Sequence, residues 1–248
     1  MTQITSPQNP RLKAVRRLQG KRERARLGQF VAEGEDLIAA AAAAGRPALE
    51  GYRLAGTELG GVSFHDVDRA ALAGVSTLGS GTRAIAVYEQ RWVEPAGPLC
   101  VYLHGVTDPG NVGTVLRSAD AFGASCVALG PGCADPHSPK AVRASMGAIF
   151  SVALARVSDV AQLPGERIAL SADAAEPLRG PEDGAGAPVT LLVGAERDGL
   201  PQEVLAACER HARIPIASES LNAAMAATVA LYEMTRRGGR DIYTVPTS

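Results

Sequence analysis

A chain of 248 residues in which 46% are apolar is long enough to bury a substantial core without disulfide staples. Its four cysteines, Cys100, Cys126, Cys133 and Cys208, form no Cys-x-x-Cys pair and have no histidine at zinc-finger spacing, so reduced thiols and no metal site are expected. No apolar run reaches membrane-spanning length and the N-terminal MTQITSPQNPRLK has no signal-peptide core, so a soluble, cytoplasmic protein is expected.

The net charge of −1 conceals an asymmetry. Residues 1–30 carry eight cations (Arg11, Lys13, Arg16, Arg17, Lys21, Arg22, Arg24 and Arg26) against Glu23 alone, a net +7, which leaves −8 for the remainder. A basic block on an acidic chain is the footprint of a polyanion contact, because lysine and arginine displace counterions from phosphates. A solvated helix with a positive face reads equally well at this level.

In chain order, PRLKAVRRLQGKRERARL (10–27) spaces Leu12, Val15, Leu18 and Leu27 among cations and predicts one or two short surface helices. Phe30 and Val31 predict a short strand, and Gly34 precedes a helix from Glu35 to Ala44 with Gly45 beyond its end. Residues 52–88 alternate short strand and helix patterns and end in the β-like TRAIAVYEQ. The Pro- and Gly-rich EQRWVEPAGPL then reads as a linker, which sets domains at 1–90 and 99–248 around residues 91–98.

Beyond the linker, LCVYLHG, SCVALG, RIALSAD, VTLLVG and RIPI read as strands. DPGNVGTVLRSADAFGA, SPKAVRASMGAIF, PQEVLAACERHA and Leu221 to Arg237 read as helices. Apolar strands alternating with helices predict a mainly parallel sheet covered on both faces, whose ligands bind at the carboxyl ends of strands.

Three of those strand ends are unusually polar. After LCVYLHG, Asp108-Pro-Gly-Asn111 opens a helix whose Val112, Val115, Leu116, Ala119 and Phe122 should face the sheet while Arg117 projects from another face, with Asn111 as N-cap. After VTLLVG come Gly194, Glu196, Gly199 and Pro201, the glycines permitting close backbone approach or positive φ and Pro201 suiting a first helical turn. After RIPI come Ser220, Leu221 and Asn222 before an alanine-rich helix. Taken singly, each set reads as capping; no Gly-x-Gly-x-x-Gly follows a strand, which disfavours a dinucleotide fold.

Taken in order, NVGTVLRSADAFGA, LLVGAERDGLP and IPIASESLNAAMAATVALYE resemble the three motifs of the SpoU (TrmH) family of the SPOUT class of S-adenosylmethionine-dependent RNA methyltransferases, over residues 99–238. DPHSPKAVRASMGAIF is similar to the family's segment between its first two motifs, and residues 9–38 resemble an N-terminal substrate-binding domain like ribosomal protein L30e. The resemblance implies an α/β domain with a deep C-terminal trefoil knot, a homodimer, and methyl transfer to a ribose 2′-hydroxyl of ribosomal RNA, in some members linked to antibiotic resistance. A tRNA substrate, or a non-catalytic RNA-binding protein keeping the fold, is the alternative. It assigns Asn111, Arg117, Glu196, Ser220 and Asn222 to the catalytic set, with Arg117 binding phosphate and stabilising charge on the ribose oxygen, and Gly194, Ile214 and Leu221 to the S-adenosylmethionine pocket. Arg11, Lys13, Arg16, Arg17, Lys21, Arg22, Lys140 and Arg143 are the expected RNA contacts. One departure is Ala224, where many members have serine.

Overall fold

The computed structural model describes residues 3–59, 63–78, 81–180, 187–217 and 220–236. It divides into two compact units: Met1–Arg91 with Asp135–Ser151, and Trp92–Ala134 with Val152–Ser248.

In the first unit, α1 (Pro10–Arg17) begins at Asn9, whose side chain accepts from the Arg11 amide, and Pro10 occupies the first turn, where a missing N–H leaves no gap. After α2 (Lys21–Leu27), Gly28 takes the left-handed conformation that ends many helices. The narrow apolar stripe suffices to bury Leu12, Val15 and Leu18 completely or nearly so. Strand β1 (Gln29–Glu33) follows, then α3 (Glu35–Ala43), β2 (Glu50–Leu54), β3 (Phe64–Val67), α4 (Arg69–Ala73) and β4 (Ala84–Glu89). The sheet order is β1-β4-β2-β3, with β4 antiparallel to both its neighbours and β2 parallel to β3.

The second unit starts with Trp92 and Val93, not with a free linker. Strand β5 (Leu99–Leu103), α5 (Pro109–Ala121) and β6 (Cys126–Leu129) come next. The chain then enters the first unit with α6 (Pro139–Ala144) and α7 (Ala148–Ser151), and returns as β7 (Ala153–Arg156), β8 (Glu166–Leu170), β9 (Val189–Val193), α8 (Gln202–Ala206), β10 (Arg210–Ala212) and α9 (Ala223–Thr235). The six strands are parallel throughout, in the order β10-β8-β9-β5-β6-β7. The Val93 amide donates to Leu154 O at 2.8 Å and the Arg156 guanidinium lies 4.0 Å from the Trp92 ring centroid, so this segment covers the otherwise unpaired edge strand β7.

Several expectations need correction. The domain expected as an unbroken 99–248 loses Asp135–Ser151 to the first unit. The reason is a private core: buried Arg24 donates to Asp135 Oδ2 at 2.7 and 2.9 Å, and Phe30 packs against His137 and Phe150 at centroid distances of 4.7 and 5.8 Å. Arg24 is therefore an internal strut rather than part of a solvated basic face. SPKAVRASMGAIF is two helices, broken at Met146 (φ 50°) and Gly147 (φ 99°); a Cβ on Gly147 would lie 2.6 Å from the Ala40 methyl, too close for any other residue. The last strand is Arg210–Ala212, so RIPI is its exit loop, and the helix expected over PQEVLAACERHA stops at Ala206. Strand β7 was not foreseen. The final helix starts at Ala223, while its expected end, Arg237, lies outside the described residues.

Candidate active site

The order of the parallel sheet creates the site. From β5 the chain winds outward through β6 and β7, then crosses to β8 and comes back to lay β9 beside β5. Adjacent strands whose connections leave in opposite directions open a crevice at their carboxyl ends, the usual ligand position in such sheets. The loops leaving β5 and β9 carry the first two polar motifs into that crevice.

Asp108, not Asn111, caps α5: its side chain accepts from the Gly110 amide at 3.2 Å. Asn111 lies inside the first turn, which frees its side chain to reach out of the helix. Val112, Val115, Leu116 and Ala119 are fully buried, as the spacing predicted. Phe122 instead is half-buried and packs edge-on against Tyr232 of α9, with centroids 6.2 Å apart. A second tie between the two helices runs from Ser118 Oγ to Thr228 Oγ1 at 2.6 Å.

Strand β9 exits at Gly194, where an added Cβ would overlap the backbone of Gly199 and Leu200. Gly199 sits at φ 64°, and paired amide and carbonyl bonds between Ala195 and Gly199 at 3.0 and 3.1 Å close a tight loop. The two glycines thus answer different demands, close approach at 194 and a left-handed backbone at 199. Glu196 stands at the head of this loop. Its Oε1 accepts from Asn111 Nδ2 at 2.6 Å and from Asn222 Nδ2 at 2.5 Å, and Asn222 Nδ2 also reaches Asn111 Oδ1 at 3.1 Å. Asn222 simultaneously caps α9, its Oδ1 accepting from the Ala224 and Met225 amides. One residue from each of the three motifs therefore joins a single network.

Beside the network lies an open cleft of about 740 Å³. The expected cofactor residues Gly194, Ile214 and Leu221 all line it, together with Glu196 and Ser220. Asn111, Arg117 and Asn222 do not. Arg117 is exposed and its side chain bonds to none of the described residues, while Glu196 holds the two asparagines. Ala224 is buried, its amide satisfied by Asn222 and its carbonyl by Thr228 Oγ1 at 2.7 Å.

Two parts of the site were missed from sequence. The exit of β8, Leu170–Asp173, forms a wall of the cleft, and Arg213 fastens that wall to the exit of β10. Arg213 N donates to Glu176 O at 2.8 Å, Leu178 N donates to Arg213 O at 2.7 Å, and the guanidinium donates to the carbonyls of Ala174 (2.9 Å) and Ala175. The available signal was that RIALSAD is another strand with a polar exit. Elsewhere in this unit, burial pushes the Cys133 thiol above its ordinary value and that of Cys208 up to about 11.

The expected RNA contacts all fall in the first unit. Lys13, Arg17, Lys21, Arg22, Lys140 and Arg143 are exposed. Arg11 pairs with Glu50, Arg16 donates to the Gly74 carbonyl at 2.9 and 3.2 Å, and Arg143 donates to Thr77 Oγ1 at 3.1 Å. Among the described residues no group of acidic, histidine or cysteine side chains is arranged to hold a metal ion, and no helix is long and apolar enough to cross a membrane.

Residues 98–232, which contain every residue of the network and cleft, match the model of the SpoU rRNA Methylase family. The chain belongs to the SpoU family. Residues 9–77 match the MRM3-like substrate binding domain. Across 94% of its length the chain is 29% identical to the 23S rRNA (guanosine(2553)-2'-O)-methyltransferase RlmP of Bacillus subtilis, covering 99% of that protein. It is 36% identical, over 53% of its length and 50% of the relative's, to the 23S rRNA (uridine(2479)-2'-O)-methyltransferase of Streptomyces viridochromogenes. Among solved structures, the AdoMet-bound rRNA methyltransferase from Sinorhizobium meliloti superimposes with a TM-score of 0.83 at 31% identity, covering 95% of this chain and 97% of that one. The SpoU methyltransferase AviRb from S. viridochromogenes, in complex with AdoMet, gives 0.80 at 27% identity over 93% of this chain and 98% of that one. The mainly parallel α/β fold expected from the alternation of apolar strands and helices is thus the fold of solved family members.

Proposed function

We propose that this SpoU enzyme transfers the methyl group of S-adenosylmethionine to a ribose 2′-hydroxyl of ribosomal RNA. The observation that carries the reading is the Asn111–Glu196–Asn222 network beside the cleft, which joins one polar residue from each of the three motifs.

The cleft suits the cofactor. Its volume falls in the range of about 300–1,000 Å³ typical of ligand pockets, its walls mix apolar side chains such as Leu170, Ile214 and Leu221 with exposed backbone, and the bare Cα of Gly194 brings the main chain up to the ligand. Gly194, Ile214 and Leu221 hold the nucleoside there. When bound, S-adenosylmethionine supplies an electrophilic sulfonium methyl.

The protein must then position a weak nucleophile and stabilise the charge that develops on it. The asparagine pair fixes Glu196 through Oε1 and leaves Oε2 to accept the hydrogen of the ribose hydroxyl. Ser220 is exposed at the rim of the cleft, and in this reading it binds the same sugar. Arg117 binds the phosphate of the target nucleotide and offsets negative charge on the ribose oxygen; a guanidinium, charged under all ordinary conditions, suits this role better than that of a base. Arg11, Lys13, Arg16, Arg17, Lys21, Arg22, Lys140 and Arg143 provide the sequence-independent grip on RNA.

The reading includes a homodimer, a cytoplasmic location and a C-terminal trefoil knot. Support for the dimer comes from α9, where Met225, Val229 and Tyr232 follow Asn222 at helical spacing and are 61%, 41% and 54% exposed, an apolar face that water does not favour.

The deciding experiment incubates the protein with methyl-labelled S-adenosylmethionine and, separately, ribosomal RNA and tRNA, then identifies the labelled nucleoside. A 2′-O-methylated nucleoside in ribosomal RNA is expected. Label on a base, or on tRNA alone, overturns the proposal. An Arg117→Lys variant is expected to lose at least about tenfold in kcat.

A further inference from the structure

The tight loop after β9 presents a cation that none of the assigned roles uses. Because the Ala195–Gly199 pair closes that loop, residues 196–198 form its tip. Glu196 is anchored at one side of the tip by Asn111 and Asn222. Arg197, the next residue, is thereby held one peptide unit from the network. It is exposed, it lines the mouth of the cleft, and it makes no hydrogen bond or ion pair with any described residue. Arg213, which also lines the cleft, is different: its guanidinium is taken up by backbone carbonyls, whereas that of Arg197 is open to an incoming anion.

From this juxtaposition we infer that Arg197 is a second phosphate-binding residue, contacting the RNA backbone beside the methylated ribose. The inference rests on the proposed placement of that ribose at the Asn111–Glu196–Asn222 network. A ribose in a chain carries a phosphodiester on its 3′ oxygen, the neighbour of the 2′-hydroxyl, so a group adjacent to the one that holds the hydroxyl is adjacent to a phosphate. A guanidinium fork matches the two non-bridging oxygens of that phosphate. Such a contact fixes the rotation of the sugar as well as its position, since phosphate contacts set register and orientation without reading sequence. The competing anion is the carboxylate of the cofactor's methionine moiety. Exposure at the rim, rather than burial within the cleft, favours the phosphate.

The test compares wild type with Arg197→Ala, Arg197→Lys and Arg197→Glu. Purified bacterial ribosomal RNA and labelled S-adenosylmethionine are the substrates, at several KCl concentrations. Loss of the contact is expected to raise the KM for RNA about tenfold in the alanine variant, with partial recovery in lysine and a larger loss in glutamate. The slope of log affinity against log salt should fall by about 0.7–0.9, the share of one phosphate. Calorimetric affinity for S-adenosylmethionine should stay within about twofold, because a rim residue facing RNA adds nothing to cofactor binding. Weakened cofactor binding with an unchanged RNA KM assigns Arg197 to the methionine carboxylate and overturns the inference, as does no change in either. Filter binding of the same RNA reads the salt slope without turnover. If wild type transfers no methyl to ribosomal RNA, the functional proposal fails, and the binding slope still decides the role of Arg197.

Discussion

Glu196 and Asn222 meet at 2.5 Å, the carboxylate at the exit of β9 accepting from the side-chain amide of the residue that caps α9. One asparagine thus serves the helix through Oδ1 and the network through Nδ2. The two duties separate by substitution. Asn222→Asp keeps an N-cap but puts a second carboxylate against Glu196, so the melting temperature should hold within a few degrees while kcat falls at least about a hundredfold. Asn222→Ala loses both, with about 1 kcal/mol of stability gone in addition. Equal kcat in Asn222→Asp and wild type would remove the network from the mechanism.

Gly194→Ala places a methyl inside the backbone of Gly199 and Leu200. The loop must then move, at a cost of about 1–3 kcal/mol. Calorimetry should show at least about a tenfold loss of S-adenosylmethionine affinity, since the loop forms one wall of the cleft. Wild-type affinity in this variant would show that the close approach at 194 serves folding alone.

Arg213 touches the cleft chiefly by holding its walls together. Removing the guanidinium in Arg213→Ala releases the carbonyls of Ala174 and Ala175 and loosens the exit of β8 against the exit of β10. The expected signature is a rise of about tenfold in KM for S-adenosylmethionine with kcat within about threefold, which marks loss of uniform binding. Faster amide exchange over residues 171–178 should accompany it. A fall in melting temperature with KM unmoved would reduce Arg213 to a purely structural strut.

The apolar face of α9 should be covered by a second copy of the chain. Val229→Glu and Tyr232→Glu each place a charge on that face and should shift the species in light scattering from dimer to monomer at micromolar concentration. A monomeric wild type would refute the proposed assembly.

Glu33 makes the first unit sensitive to acid. Burial raises its pKa, but donors on Ser76, Thr82 and Thr77 outweigh that penalty and hold it below the ordinary carboxylate value. A folded pKa that lies below the unfolded one contributes stability in full above about pH 5, and that contribution disappears as pH falls through the folded value. Glu33→Gln should therefore destabilise the unit by about 1–3 kcal/mol at pH 7, by urea titration, with the difference from wild type shrinking below about pH 4. A difference independent of pH would contradict the assignment.

Much of the fold was legible because its elements are encoded locally. Apolar runs such as VTLLV are strands wherever they are placed, Pro10 and Gly28 mark helix boundaries through their own backbone limits, and the stripe of Val112, Val115, Leu116 and Ala119 defines a buried face. The errors came where distant packing overrules such signals. Asn111 has the chemistry of an N-cap, yet Asp108 takes that position and Asn111 answers a carboxylate 85 residues away. SPKAVRASMGAIF has the pattern of a single helix, yet contact between Gly147 and Ala40 breaks it.

By itself the sequence determined most of the strands and helices, the polar character of three strand exits and the motif order that carries the family. Only the tertiary structure decided which exits become neighbours. Laying β9 beside β5, with β8 and β10 beyond, brings Asn111, Glu196 and Asn222 to one point and adds the unforeseen Arg213 clamp and the Leu170–Asp173 wall. The physical reason is range: propensity and periodicity act over a few residues, whereas strand order follows from how the whole chain buries its apolar faces.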